Sequence, residues 1–96
     1  MKINFKKSNG QLKVIVDGRL DTTTAPELAK FLEAYEGKIE SLIIDCHKMT
    51  YVSSAGLRVL LATQKKTKGL MKLTNVCELV MEVFEITGFV DILTIE

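Results

Sequence analysis

The chain has 96 residues, 47% of them apolar and 26% charged, a balance that suits one folded domain and excludes gross disorder. A formal net charge of +1 removes any bulk attraction to nucleic acid or an anionic membrane, and no apolar run approaches the ~18 residues of a membrane span. Two cysteines are too few for a disulfide scaffold, and the opening MKINFKKSNG lacks an apolar secretory core, so a reduced cytoplasmic protein is expected.

Residues 1–17 read as a hairpin. Ile3 and Phe5 alternate with polar neighbours, as do Leu12, Val14 and Val16, and Ser8-Asn9-Gly10 between them supplies residues that tolerate positive φ. Gly18-Arg19-Leu20-Asp21 leaves the second strand. A helix follows, with Thr24 as N-cap, Pro26 in the first turn and Glu27 three residues on. Its apolar stripe is Leu28, Phe31, Leu32 and Tyr35, and Gly37 is the expected stop. Leu42-Ile43-Ile44 is apolar without alternation, the pattern of a central parallel strand covered on both faces.

Asp45 closes that strand, and Cys46 to Val52 reads as a connection. Ser53 or Ser54 caps a second helix, with Leu57, Leu60 and Leu61 inward and Gly69 as its end. Leu70 to Leu73 is a short strand. Asn75 with Glu78 patterns as a capping box for a third helix, whose inner face is Val76, Leu79, Val80, Val83 and Phe84. Gly88 stops it, and Ile92, Leu93 and Ile95 suit a last strand. The alternation predicts a single α/β domain over residues 1–96, with a mixed, mostly parallel sheet of four to five strands and about three covering helices.

Charge is unevenly spread. Residues 58–72 carry five bases and no acid, and residues 75–96 carry five acids and no base. Two solvated helix faces that offset one another, or a docking surface, both fit this pattern.

The equipment of an enzyme is scarce. His47 is the only histidine, the cysteines lack metal-ligand spacing, and there is no phosphate loop, dinucleotide fingerprint or GxSxG elbow. No cofactor and no metal are called for. The informative segment is Asp45 to Arg58, which joins the C-terminal end of a buried strand to a helix N-terminus. Free N–H groups and the positive dipole end favour an anion there. A serine followed by the small Ala55 and Gly56 is open to another enzyme's active site. Simple helix capping by Ser53 and Ser54 accounts for the same residues and is worth ~1 kcal/mol.

The stretch Met49 to Leu61 resembles the signature of the STAS domain family, whose best-known members are bacterial anti-sigma factor antagonists. Gly18 to Asp21 resembles the family's Gly-x-[Leu/Ile]-Asp, Leu42 to Asp45 its central strand, and Glu82 to Phe89 its closing helix and turn. The resemblance implies a STAS-like fold and a non-enzymatic partner switch. In such a switch the unphosphorylated protein binds an anti-sigma factor that is also a GHKL-type serine kinase. Phosphorylation of the antagonist releases that partner, and a PP2C-type phosphatase resets it. Carried onto this chain, the resemblance makes Ser54 the acceptor, with Asp21 orienting the hydroxyl or assisting the kinase complex. Many members have an aspartate before the acceptor; Ser53 stands there instead and is a second candidate acceptor. Arg58, one turn after Ser54, is a candidate partner for a phosphoserine or for an acid on the bound protein. Ala55 and Gly56 complete the expected docking site. Two further functions fit the family: a constitutive interaction subunit of a transport ATPase complex, and a domain sensing a nucleotide or other anion.

Overall fold

The computed structural model describes residues 1–96. Two strands, β1 (Lys2–Ser8) and β2 (Gln11–Leu20), form the expected antiparallel hairpin, turned by Asn9 and Gly10 with φ of 50° and 81°. Both central residues at positive φ give a turn whose twist matches that of the flanking strands. Then come α1 (Ala25–Glu33), β3 (Ser41–Asp45), β4 (Met49–Val52), α2 (Ser54–Lys66), β5 (Met71–Thr74), α3 (Glu78–Thr87) and a 3₁₀ turn, Phe89–Asp91. The sheet order is β1-β2-β3-β5, with β4 also paired to β2, and every pairing except β1–β2 is parallel.

The expected α/β class, strand number and mostly parallel sheet are all present. One strand was hidden in the segment read as a connection. Met49 to Val52 is β4, which takes up pairing with β2 where β3 leaves off: residues 11–15 of β2 face β3, and residues 18–20 face β4. The hand-over is made at Gly18, whose φ of 108° accompanies a register shift and whose N–H donates to Lys48 O at 2.9 Å. A side chain at that φ is strained, which is why glycine stands there.

The core lies against one face of the sheet. Leu12, Val14, Val16, Leu42, Ile44, Met71 and Leu73 are buried, together with Leu28 of α1, Leu57 and Leu60 of α2, and Val80 and Phe84 of α3. On the other face Ile43 is only half-buried, between Lys13 and Lys72 on its neighbouring strands. The reading of β3 as covered on both faces was therefore wrong, because lysine stems flank it where a second helical layer would sit. α1 ends before Gly37, at Glu33; Phe31 and Tyr35 instead stack on the half-exposed Phe5 of the edge strand, with ring centroids 5.3 and 6.0 Å from it. Leu79 faces solvent, not the core. The last strand is reduced to one bridge, Leu73 to Ile95.

Gly18→Ala should lower stability by about 1–3 kcal/mol through its positive φ. A lower urea midpoint at unchanged m is the expected result; an unchanged midpoint would show that the bulge tolerates a side chain.

Candidate functional site

The C-terminal ends of the parallel strands and the N-termini of the helices that follow them meet at one edge of the domain. Ser53 is the N-cap of α2: its backbone is extended, and its Oγ accepts a long hydrogen bond from Gly56 N–H at 3.5 Å. Ser53 N–H donates to Leu20 O at 2.9 Å, which ties the helix start to the end of β2. Ser54 is the first helical residue and is exposed, while Ala55 is half-buried and Gly56 is buried. The capping role, left open between the two serines by the sequence, is thus assigned: Ser53 caps, and Ser54 faces solvent.

Gly56 is required for a reason unrelated to flexibility. A Cβ there would lie 2.8 Å from Leu20 O, 2.8 Å from Leu20 Cγ and 3.0 Å from Val52 Cγ2. One of these obstacles is backbone, so the helix could accept a methyl group only by backing away from the sheet.

Asp21 follows Leu20 directly and so lies beside the α2 start. Its Oδ1 accepts from Thr23 Oγ1 at 2.8 Å and from the N–H groups of Thr23 and Thr24 at 3.0 and 3.2 Å. The Thr23 hydroxyl bond, helped by those backbone donors, lowers the carboxyl from 3.8 to about 2. Thr24 stands at the expected N-cap position of α1, but its hydroxyl makes no capping bond: Oγ1 donates to Arg19 O at 2.7 Å and accepts from Asp21 N–H at 2.8 Å. Asp21 makes no hydrogen bond to Ser53 or Ser54; its partners are the two threonines and Arg19, whose Nε lies 3.5 Å from Oδ2. Sequence reasoning missed Arg19 and Tyr51 as a pair. They are register partners on β2 and β4, and the guanidinium sits 4.2 Å from the ring centroid, a cation–π contact. Only the hidden strand β4 brings Tyr51 there. Arg58 is exposed one turn beyond Ser54 and forms no ion pair.

A second cluster lies at the end of β3. Asp45 is buried, and its Oδ1 accepts from His47 N–H at 3.0 Å and Asn75 Nδ2 at 3.3 Å, with His47 Nδ1 at 2.8 Å. Burial raises the carboxyl, but these donors outweigh it and hold the group below its ordinary value. Asn75 therefore serves Asp45 and does not cap α3; Cys77 occupies that N-cap position. The lone histidine is likewise spent on Asp45. Burial, with the adjacent Asp45 charge, pushes the Cys46 thiol up to about 12, which removes it as a nucleophile.

The STAS domain family model matches residues 2–96. This chain belongs to the STAS domain family. The STAS domain is 36% identical over 96 residues to BtrV of Bordetella bronchiseptica, a candidate anti-sigma factor antagonist, covering 96% of this chain and 83% of that protein. It is 31% identical over 98 residues to the anti-sigma-B factor antagonist of Bacillus subtilis, covering 99% and 90%. Among solved structures, the anti-sigma factor antagonist SpoIIAA in its unphosphorylated form superposes with a TM-score of 0.82 at 13% identity, covering 99% of this chain and 88% of that one. The phosphorylated form of the Bacillus SpoIIAA superposes with a TM-score of 0.75, at 13% identity and with 99% and 91% covered.

Gly56→Ala should destabilise the STAS domain by about 1–3 kcal/mol, as overpacking does, with the loss read from the urea midpoint. A neutral result would mean that α2 shifts freely on the sheet. For Asp21 the native carboxyl titrates below its unfolded value, so the ionised group favours folding above about pH 4, and that contribution is lost as pH falls through about 2. Asp21→Asn should therefore lower stability at neutral pH and converge with the parent near pH 2. An equal deficit at both pH values would remove the titration as its cause.

Proposed function

We propose that this STAS domain is an anti-sigma factor antagonist whose partner binding is switched by phosphorylation of Ser54. The observation that carries the proposal is the division of labour at the α2 start. Ser53 is engaged as the cap, and the next hydroxyl, on Ser54, is exposed at the positive end of a helix. The relatives named as antagonists support the general role over nearly the whole chain. In this reading the partner is an anti-sigma factor that is also a GHKL-type serine kinase, and a PP2C-type phosphatase restores the unmodified form. The protein performs no catalysis of its own. It acts in the cytoplasm by binding protein, without direct contact with nucleic acid.

Charge provides the switch. A phosphate on Ser54 adds about −1.5 to −2 charges at neutral pH. Within the domain that charge sits at a helix N-terminus, where it gains roughly 0.3–1 kcal/mol, so the fold survives. Arg58, one turn along the helix and without an ion pair, is the cation placed to offset it. At a closed interface the same charge must be desolvated, and a cost of about 3–4 kcal/mol lowers affinity roughly 100- to 1,000-fold. Gly56 seats the first turn of α2 on the end of β2, so that Ser54 is held outward, and Asp21 holds the neighbouring β2–α1 turn in shape.

Incubation with the partner kinase and ATP, followed by peptide mass spectrometry, should place one phosphate on Ser54 and none on Ser53. Ser54→Ala should keep partner affinity and refuse the phosphate, while Ser54→Asp should bind at least tenfold more weakly. Modification at Ser53 alone would move the acceptor by one residue. Equal binding by both variants, with no phosphate taken up by the parent protein, would favour a constitutive interaction subunit.

A further inference from the structure

A cavity of about 480 Å³ opens between α1 and α2, lined by the α1 C-terminus, the loop into β3 and α2 from Arg58 onward. It includes neither Ser53 nor Ser54. The volume falls within the ~300–1,000 Å³ of small-molecule sites. Leu32, Leu42, Val59 and Leu70 give it an apolar lining. Leu42 is buried, yet Leu70 remains half-exposed, so apolar surface is left open to water here.

The charges around this lining are sorted by element. Glu33 is the last residue of α1 and Glu36 lies in the turn after it, while Glu40, in the loop before β3, turns its carboxylate over Gly10; Arg58 and Lys66 come from α2 and Lys68 from the turn after it. Arg58, Ala62 and Lys66 are spaced i, i+4 and i+8, one line along the helix. None of these six charged groups forms an ion pair with any other: the four pairs in the domain are Lys13–Asp45, Arg19–Asp21, His47–Asp45 and Lys72–Glu96. An apolar cleft thus carries an acidic wall and a basic wall that do not meet across it.

We infer that this cleft binds a small apolar zwitterion, with a short hydrophobic peptide as its type. The ligand's ammonium faces the Glu33–Glu36 side, its carboxylate faces Arg58, Lys66 and Lys68, and its apolar body covers Leu32, Leu42 and Val59. The charge arrangement selects this class over others. A plain anion leaves the acidic wall unanswered and a plain cation leaves the basic one, whereas a molecule bearing both charges complements each. Burial of the apolar body supplies the affinity, and the two walls supply orientation and selection. This site does not rest on the phosphorylation reading, although Arg58 is common to both.

Three probes test it: the dipeptide leucyl-phenylalanine, its N-acetyl form carrying only the carboxylate, and its C-terminal amide carrying only the ammonium. Titration of the ¹⁵N-labelled protein by NMR reads both affinity and location. The free dipeptide should shift the amides of residues 32–42 and 58–70 and bind at least tenfold more tightly than either singly charged form. Ala62→Trp, at an exposed helical position on the cleft wall, should abolish the shifts while leaving thermal unfolding cooperative. Lys66→Glu should weaken the dipeptide and improve the amide. Equal binding of all three probes, preference for a singly charged form, absence of binding at millimolar concentration, or shifts elsewhere in the domain would each overturn the inference.

Discussion

The carbonyl of Leu20 is the point on which the edge carrying the candidate site depends. It accepts the Ser53 N–H at 2.9 Å and lies 2.8 Å from where a Cβ on residue 56 would stand. The first turn of α2 is therefore pressed onto the end of β2 by a hydrogen bond on one side and by the absence of a side chain on the other. That contact fixes the rotation of the helix, and the rotation sends Leu57 and Leu60 into the core and Ser54 to the surface. The exposure of one hydroxyl is a consequence of packing, because Ser53, its neighbour with the same chemistry, is half-buried at the cap.

The same edge depends on a second constraint further back in the sheet. β2 can serve both β3 and β4 only because Gly18 absorbs a register shift at positive φ. Without it β4 would not reach Leu20, and α2 would have no rigid strand to start from. Asp45 secures the kink between β3 and β4 by gathering His47 from the connecting turn and Asn75 from the end of β5. A buried carboxylate is tolerable because its donors converge on it. The result is a candidate site built on strand ends, with the Arg19–Tyr51 contact stitching β2 to β4 beside it.

Much of this was legible in the sequence wherever a residue type admits one explanation. Asn9-Gly10 announced the hairpin, Gly88 the end of α3, and the period of α2 its buried Leu57 and Leu60; Leu61, also expected inward, lies outside the core. The motif pieces from Gly18 to Phe89 identified the family in their order along the chain. What failed were features set by tertiary partners. Met49 to Val52 is too short and too little alternating to stand out as a strand; it is one because β2 is long enough to offer a second pairing partner. Asn75 has the spacing of a cap but is claimed by Asp45, thirty residues away. Ile43 has the apolar character of a doubly covered strand, yet lysines flank it on both sides. At the site, the sequence offered Ser53, Ser54, Asp21, Ala55, Gly56 and Arg58 as candidates, while the placing of Ser53 at the cap and the pairing of Arg19 with Tyr51 required the geometry.

The central claim is that Ser54 can accept a charge without disturbing the domain that presents it. Amide chemical shifts and hydrogen exchange of the Ser54-phosphorylated protein, compared with the unmodified one, test this most directly. The account predicts shifts confined to the first turn of α2 and residues 19–21 at the end of β2, with the slow exchange of core amides such as Val14, Ile44 and Leu73 unchanged. Loss of protection across the sheet, or shifts spread through α3 and β5, would contradict it, because the phosphate would then act by loosening the fold and not by altering one exposed edge.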